Sequence, residues 1–316
     1  MRESEDLRMH KLSAKEKTME FSDYTPCTRH KQGHGFTLVE LLVVMAILSL
    51  LMGILLPGLA EVRRQARRVI GTNNQRQIVS GVSLFAMDND EKYPESVATI
   101  GFGDNWNWQE PTILTGDRKR SPRLHRSISS YLRPYINDAS VMFCPNAPRE
   151  HKYLQEAWDA GEDWGNPDAP MIKGPMIGTY CFYWNYVGFL GGRRGIFRGP
   201  RSASGGHEQS KLLVSCYFSY DHWQTRNAYS SCEKFRSAGL TEETWFSPAY
   251  WSGLNSNASL DTLKMKLHAG YTDGHVESYG PSEVIPMEVI VNPSTGAPYL
   301  SGLGPGVFYL PDTSLH

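Results

Sequence analysis

The chain has 316 residues, 33 acidic against 32 basic side chains, a formal charge of −1 and 40% hydrophobic residues. That length holds one or two domains beyond any anchor, and the near-neutral balance excludes a protein that coats nucleic acid or a membrane through its global charge. The 29 Gly, 19 Pro, 8 Trp and 16 Tyr predict a turn-rich, β-rich extracytoplasmic domain rather than a helical bundle.

Residues 1–35 are polar and lack the apolar run of a secretory signal. They close on the basic stretch Arg29-His30-Lys31-Gln32-Gly33-His34, as a cytoplasmic leader would. The leader is long, and a start at Met9 or Met19 instead of Met1 would shorten it. Phe36 to Leu56 then forms an apolar run of about 21 residues, enough to cross a bilayer as a helix. Glu40 lies inside it. A carboxylate in hydrocarbon costs about 2.5–3.5 kcal/mol on insertion scales, and the run contains no Lys or Arg to offset it. The expected partner is a water defect, another chain, or a charge made by processing. Cutting between Gly35 and Phe36 would place an α-ammonium beside this carboxylate. On the far side, Arg63, Arg64, Arg67 and Arg68 run against the positive-inside rule.

Past Pro57, apolar residues recur at Leu59, Val62, Ala66, Val69, Ile70, Ile78, Val82 and Phe85, the spacing of an amphipathic helix. The sequence predicts one helix from Phe36 to about Met87, kinked or locally melted at Pro57, with a sheet covering the stripe of its second half. Asp88-Asn89-Asp90-Glu91-Lys92-Tyr93-Pro94 stops it, because Asn and Asp favour turns and Pro94 pushes Tyr93 to extended structure. Residues 95–122, with Trp106 and Trp108, read as loop, and 124–132 as a short helix. Strands are predicted at 140–143, 177–189, 211–220, 265–271 and 275–279. Residues 149–174 read as an exposed polar insertion and 191–209 as a mobile loop.

Gly35-Phe36-Thr37-Leu38-Val39-Glu40-Leu41-Leu42-Val43 resembles the cleavage and methylation signal of type IV prepilins and type II secretion pseudopilins. The resemblance implies Gly35 before the cut, Phe36 as the methylated terminus, Glu40 as the carboxylate that places each subunit in a filament, and Pro57 as a helix kink. Leu84 to Pro94 is similar to the helix end of major pseudopilins. Three further blocks resemble prepilin-like proteins with large divergent heads from planctomycete- and Lentisphaera-type bacteria. These are Tyr131-Leu132 with Val141-Met142-Phe143-Cys144-Pro145, the Tyr180–Tyr186 strand, and Thr272-Asp273-Gly274-His275-Val276-Glu277. The implied fold is α+β and pilin-like: leader 1–35, membrane half-helix 36–57, amphipathic half-helix 58–90, and a β-rich head 91–316.

Of five cysteines, Cys27 precedes the expected cut. Cys144, Cys181, Cys216 and Cys232 could form one or two disulfides in an oxidising compartment, with the connectivity open, or stay as buried thiols. Asp273-Gly274 reads as a type I′ hairpin turn, and His268, Asp273 and His275 as an alternative divalent-metal site. Asp221-His222-Trp223 and His207-Glu208 are acid/base pairs on paper only, and no hydrolase or phosphate-loop motif occurs. Arg193, Arg194, Arg198 and Arg201 around Phe197 read as a solvated loop, with an anionic polymer as the sharper alternative. Trp106 and Trp108 read as packing, with sugar stacking as the alternative.

The expected protein is a non-enzymatic filament subunit without cofactor, a minor one given the size of the head. It would serve a pilus, a secretion pseudopilus or DNA uptake. Its partners would be a prepilin peptidase, the inner membrane and other subunits, with no nucleic acid and with polysaccharide as an option. The head would face the periplasm or the surface of a filament. The alternative is a tethered surface lectin or adhesin delivered by the same signal.

Overall fold

The computed structural model describes residues 36–102, 105–108, 111–114, 127–146, 154–165, 178–190, 195–206, 209–220, 228–230, 253–254, 265–288 and 307–315. Helix α1 runs Leu38–Asp88 without a break at Pro57. Two compact units divide between Leu55 and Leu56. Within the first, every described residue is exposed, Leu48 at 49% and Leu51 at 58%.

In the second unit the chain continues through β1 (Thr99–Phe102) and β2 (Asn105–Trp108), an antiparallel hairpin where a loop was expected. Next come α2 (Ile128–Leu132) and α3 (Leu154–Ala160). The remaining strands are β3 (Tyr180–Phe182), β4 (Val187–Leu190), β5 (Gly195–Arg198), β6 (Leu212–Cys216), β7 (Phe218–Tyr220), β8 (Ala228–Ser230), β9 (Gly253–Leu254), β10 (Leu267–Tyr271), β11 (Val276–Tyr279), β12 (Val284–Glu288) and β13 (Val307–Pro311). They form a four-stranded sheet in the order β11-β10-β6-β3 and a seven-stranded sheet in the order β5-β4-β12-β13-β7-β8-β9, with antiparallel pairings. The fold is α+β and pilin-like: a long N-terminal helix and a β-rich C-terminal region.

The second half of α1 lies on the four-stranded sheet. Gly71, Asn74, Gln75, Ile78, Val79, Val82 and Ala86 are buried at spacings of three and four. A Cβ at Gly270 in β10 would sit 2.8 Å from Val79 Cγ2 and 3.0 Å from Val214 Cγ1, so only glycine admits the helix at this distance. The polar residues on this face find distant partners. Asn74 Nδ2 donates to Phe143 O at 2.9 Å, and Gln75 Nε2 to His268 O at 3.1 Å. Tyr180 Oη donates to Gly71 O at 3.3 Å. Leu59, Val62, Val69 and Ile70 remain exposed and lie on a different arc of the helix from the face buried at Gly71–Ala86, so the expected single stripe is in fact two.

Several sequence expectations change. Residues 139–142 form a 3-10 turn rather than a strand, because Asp138 Oδ1 accepts from Ser140 N at 2.9 Å and caps it. The supposed exposed insertion contains α3, anchored by buried Leu154, Ala157 and Trp158, whose Nε1 donates to Ile136 O at 3.0 Å. The supposed mobile loop contains β5, with Phe197 buried at 1% exposure and paired opposite Gly188. The helix stop is as the sequence reads it. Asn89 Nδ2 donates to Phe85 O at 2.8 Å, and Asp90 and Glu91 take positive φ to reverse the chain.

Candidate functional site at the start of the long helix

Thr37 and Glu40 flank the first turn of α1, and their side chains and backbone close on each other. Thr37 N donates to Glu40 Oε2 at 2.8 Å, Thr37 Oγ1 donates to the same oxygen at 2.8 Å, and Glu40 N donates to Thr37 Oγ1 at 3.3 Å. This is a capping box, in which Thr-x-x-Glu satisfies two of the N–H groups that a helix start leaves without partners. A carboxylate here also meets the positive end of the helix dipole. The list of expected partners for Glu40 omitted this local one, although Thr-x-x-Glu ahead of an apolar run is a readable signal. Both residues lie after the Gly35–Phe36 bond. Phe36 is 78% exposed, while Gly35 and the rest of residues 1–35 lie outside the described residues.

Among the described residues, α1 is the one helix long and apolar enough to cross a membrane. Its other polar group early in the run, Ser49, donates its hydroxyl to Met45 O at 2.8 Å. Polar groups in this segment are thus satisfied within the helix, the condition that hydrocarbon imposes.

The other expected sites sit in the second unit and do not converge. His268 lies opposite Ser278 in the β10–β11 ladder, and its Nδ1 meets Ser278 Oγ at 2.9 Å. Burial first, then the charges of Arg68 and Lys266, bring its pKa down to about 4. Asp273 and His275 pair instead at the hairpin tip, Oδ1 to Nδ1 at 2.5 Å. Burial pushes the Asp273 carboxyl up, but hydrogen bonds from His275 outweigh it and leave the pKa below its ordinary value. His275 stacks on Tyr271 at 4.5 Å. No group of three or more His, Cys, Asp or Glu that could hold a metal occurs among the described residues. The turn itself differs from type I′. Tyr271 N donates to His275 O and Gly274 N to Tyr271 O, and Gly274 has φ +90° while Asp273 is not among the residues with positive φ. That pattern is a three-residue loop closing on a glycine bulge.

Cys144 and Cys181 are buried thiols rather than disulfide sulfurs, and Cys216 is disulfide-bonded. Cys27 and Cys232 lie outside the described residues. Alternation along β3 explains why the two thiols stay apart. Tyr180, near Cys144, faces α1, whereas Cys181 faces the opposite side with Tyr183 and Tyr279. His207, Glu208, Asp221, His222, Trp223, Arg193 and Arg194 lie outside the described residues. Arg198 sits in β5, Arg201 in the following turn, and Trp106 and Trp108 in β2.

Residues 31–56 match the family model of the prokaryotic N-terminal methylation motif. Over 73 residues the chain is 32% identical to the type IV wide pilus major component PilA4 of Thermus thermophilus, a stretch covering 23% of this chain and 56% of that protein. The chain thus spans just over half the length of this curated relative. No solved structure matches it. The N-terminus is of the prepilin type, and its apolar helix is a membrane anchor.

Proposed function

We propose that the chain is a structural subunit of a type IV pilus-like or type II secretion pseudopilus filament, a minor one given its large head. In this reading residues 1–35 are a cytoplasmic leader, 36–57 cross the inner membrane with a kink at Pro57, 58–90 are the amphipathic half-helix, and 91–316 form the periplasmic head. A prepilin peptidase cuts after Gly35, and Phe36 is methylated. The observation that carries the reading is the methylation motif at residues 31–56, within which the Glu40 carboxylate is held at the helix start. The disulfide at Cys216 supports a head in an oxidising compartment.

The capping box gives the assembly step a physical form. All its donors lie on the mature side of the cut, so Glu40 keeps its Thr37 partner after processing. The Phe36 ammonium of a neighbouring subunit then offers a charged partner in low dielectric, where such a pair is strong and a lone carboxylate is costly. The reading is that of a structural subunit, as the methylation motif implies. The test is a pair of variants in the native host. Glu40→Val is expected to yield mature N-termini by mass spectrometry but few filaments in sheared fractions, and full incorporation of that variant would remove the assembly role. Gly35→Leu is expected to leave the leader on every molecule, and a mature mass would refute the cut site.

A further inference from the structure

Residues 59–70 of α1 carry two separate faces that the head does not use in the way it uses residues 71–86. At about 100° per residue, Leu59, Val62, Ala66, Val69 and Ile70 share an arc of roughly 100°, and each is exposed. Arg63, Arg64, Arg67 and Arg68 share the next arc, of roughly 140°. That basic arc is the continuation of the face which, from Gly71 to Ala86, lies buried on the sheet. The arginines therefore sit on the head side of the helix, just before the head covers it. Arg63 and Arg64 are exposed and Arg67 half-exposed, whereas Nε of Arg68 is buried. On the sheet, exposed Lys266 immediately precedes β10, and it and Arg68 each lie near enough to His268 to depress its pKa. Glu61 forms an ion pair with Arg64 at 2.7 Å.

Location says what the patch faces. Arg63 follows Leu56, the last residue of the apolar run, by about two helical turns. Guanidinium forks match phosphate oxygens, and a basic amphipathic segment next to a span is the pattern that anionic lipid selects. We propose that Arg63, Arg64 and Arg67 form a binding surface for anionic phospholipid headgroups in the leaflet next to the head. The proposal rests only on membrane insertion, so it stands or falls independently of cleavage and assembly.

Native mass spectrometry of the full chain in a zwitterionic detergent tests it, with phosphatidylglycerol or phosphatidylcholine added at equal concentration. Phosphatidylglycerol is expected to be retained with roughly tenfold preference. The preference should vanish in R63Q/R64Q/R67Q, persist in R63K/R64K/R67K, and rise in Glu61→Gln. Equal retention of the two lipids by the wild type, or an unchanged preference in the Gln variant, would overturn the proposal. So would a single-stranded oligonucleotide that displaces the lipid at lower concentration, since the surface would then be one for nucleic acid.

Discussion

The first and last thirds of α1 present the same helix to two different surroundings. Residues 38–55 are exposed on every side, and their polar groups bond within one turn: Glu40 to Thr37, Ser49 to Met45. Residues 71–86 bury one face, and the polar groups on it reach across the fold, Asn74 to Phe143 and Gln75 to His268, while Thr72 and Ser83 off that face bond within one turn as Ser49 does. Local bonding is what a helix needs where the surroundings offer no hydrogen bonds. Long-range bonding is what a helix gains when a sheet covers it, because a buried amide without a partner costs about 1–3 kcal/mol. Long-range partners on the buried face thus mark the core stretch of the helix.

Matched truncations test that contrast most strongly. Ile78→Ala removes a fully buried side chain from the helix–sheet seam and is expected to destabilise the head by about 2–5 kcal/mol. Leu48→Ala, from the exposed segment, should leave the denaturant midpoint of the head unchanged. Equal losses for the two would erase the distinction between the regions.

A smaller effect follows from His268, which lies in the same seam. Its folded pKa of about 4 sits below the ordinary 6.5, so the unfolded chain takes up the proton first. The stabilisation is complete above pH 6.5 and is lost as pH falls from there toward about 4, at about 1 kcal/mol per pH unit. Chemical denaturation of wild type and His268→Gln across that window should give curves that converge toward acid. Parallel curves would show that the ring does not titrate against folding.

The smallest effect belongs to the anchor. Thr37→Ala removes the hydroxyl of the capping box and should cost the helix start about 1 kcal/mol, read as faster amide exchange at Leu38–Leu41 with no change in head stability. Protected amides in that variant would mean that the cap is redundant.

Much of this layout was legible from particular residues. Gly35 to Glu40 and the apolar run after it marked the anchor, and Asn89 with Pro94 marked where the helix stops. The Asp273-Gly274 pair located a hairpin, though its loop is one residue wider than the pair alone implies. Phe197 was misread because a lone aromatic among Arg and Gly looks like loop until β4 pairs with it. Trp158 was misread for a similar reason: its anchor, Ile136 O, is distant in the chain. Residues 139–142 have strand-like composition, and a single capping carboxylate at Asp138 turned them into a 3-10 turn.

Taken alone, the sequence determined what depends on neighbours along the chain: the methylation motif, the length and polarity of the apolar run, the helix stop and the capping box, the last present as Thr-x-x-Glu. Only the tertiary structure decided which stretch of the amphipathic helix is covered, that Cys144 and Cys181 stay apart as thiols, that His268 is buried away from Asp273 and His275, and that Arg63, Arg64 and Arg67 share a face with the head. The reason is physical. Helix geometry and hydrogen bonds within a turn are functions of local spacing, whereas burial and strand register depend on which distant segments meet.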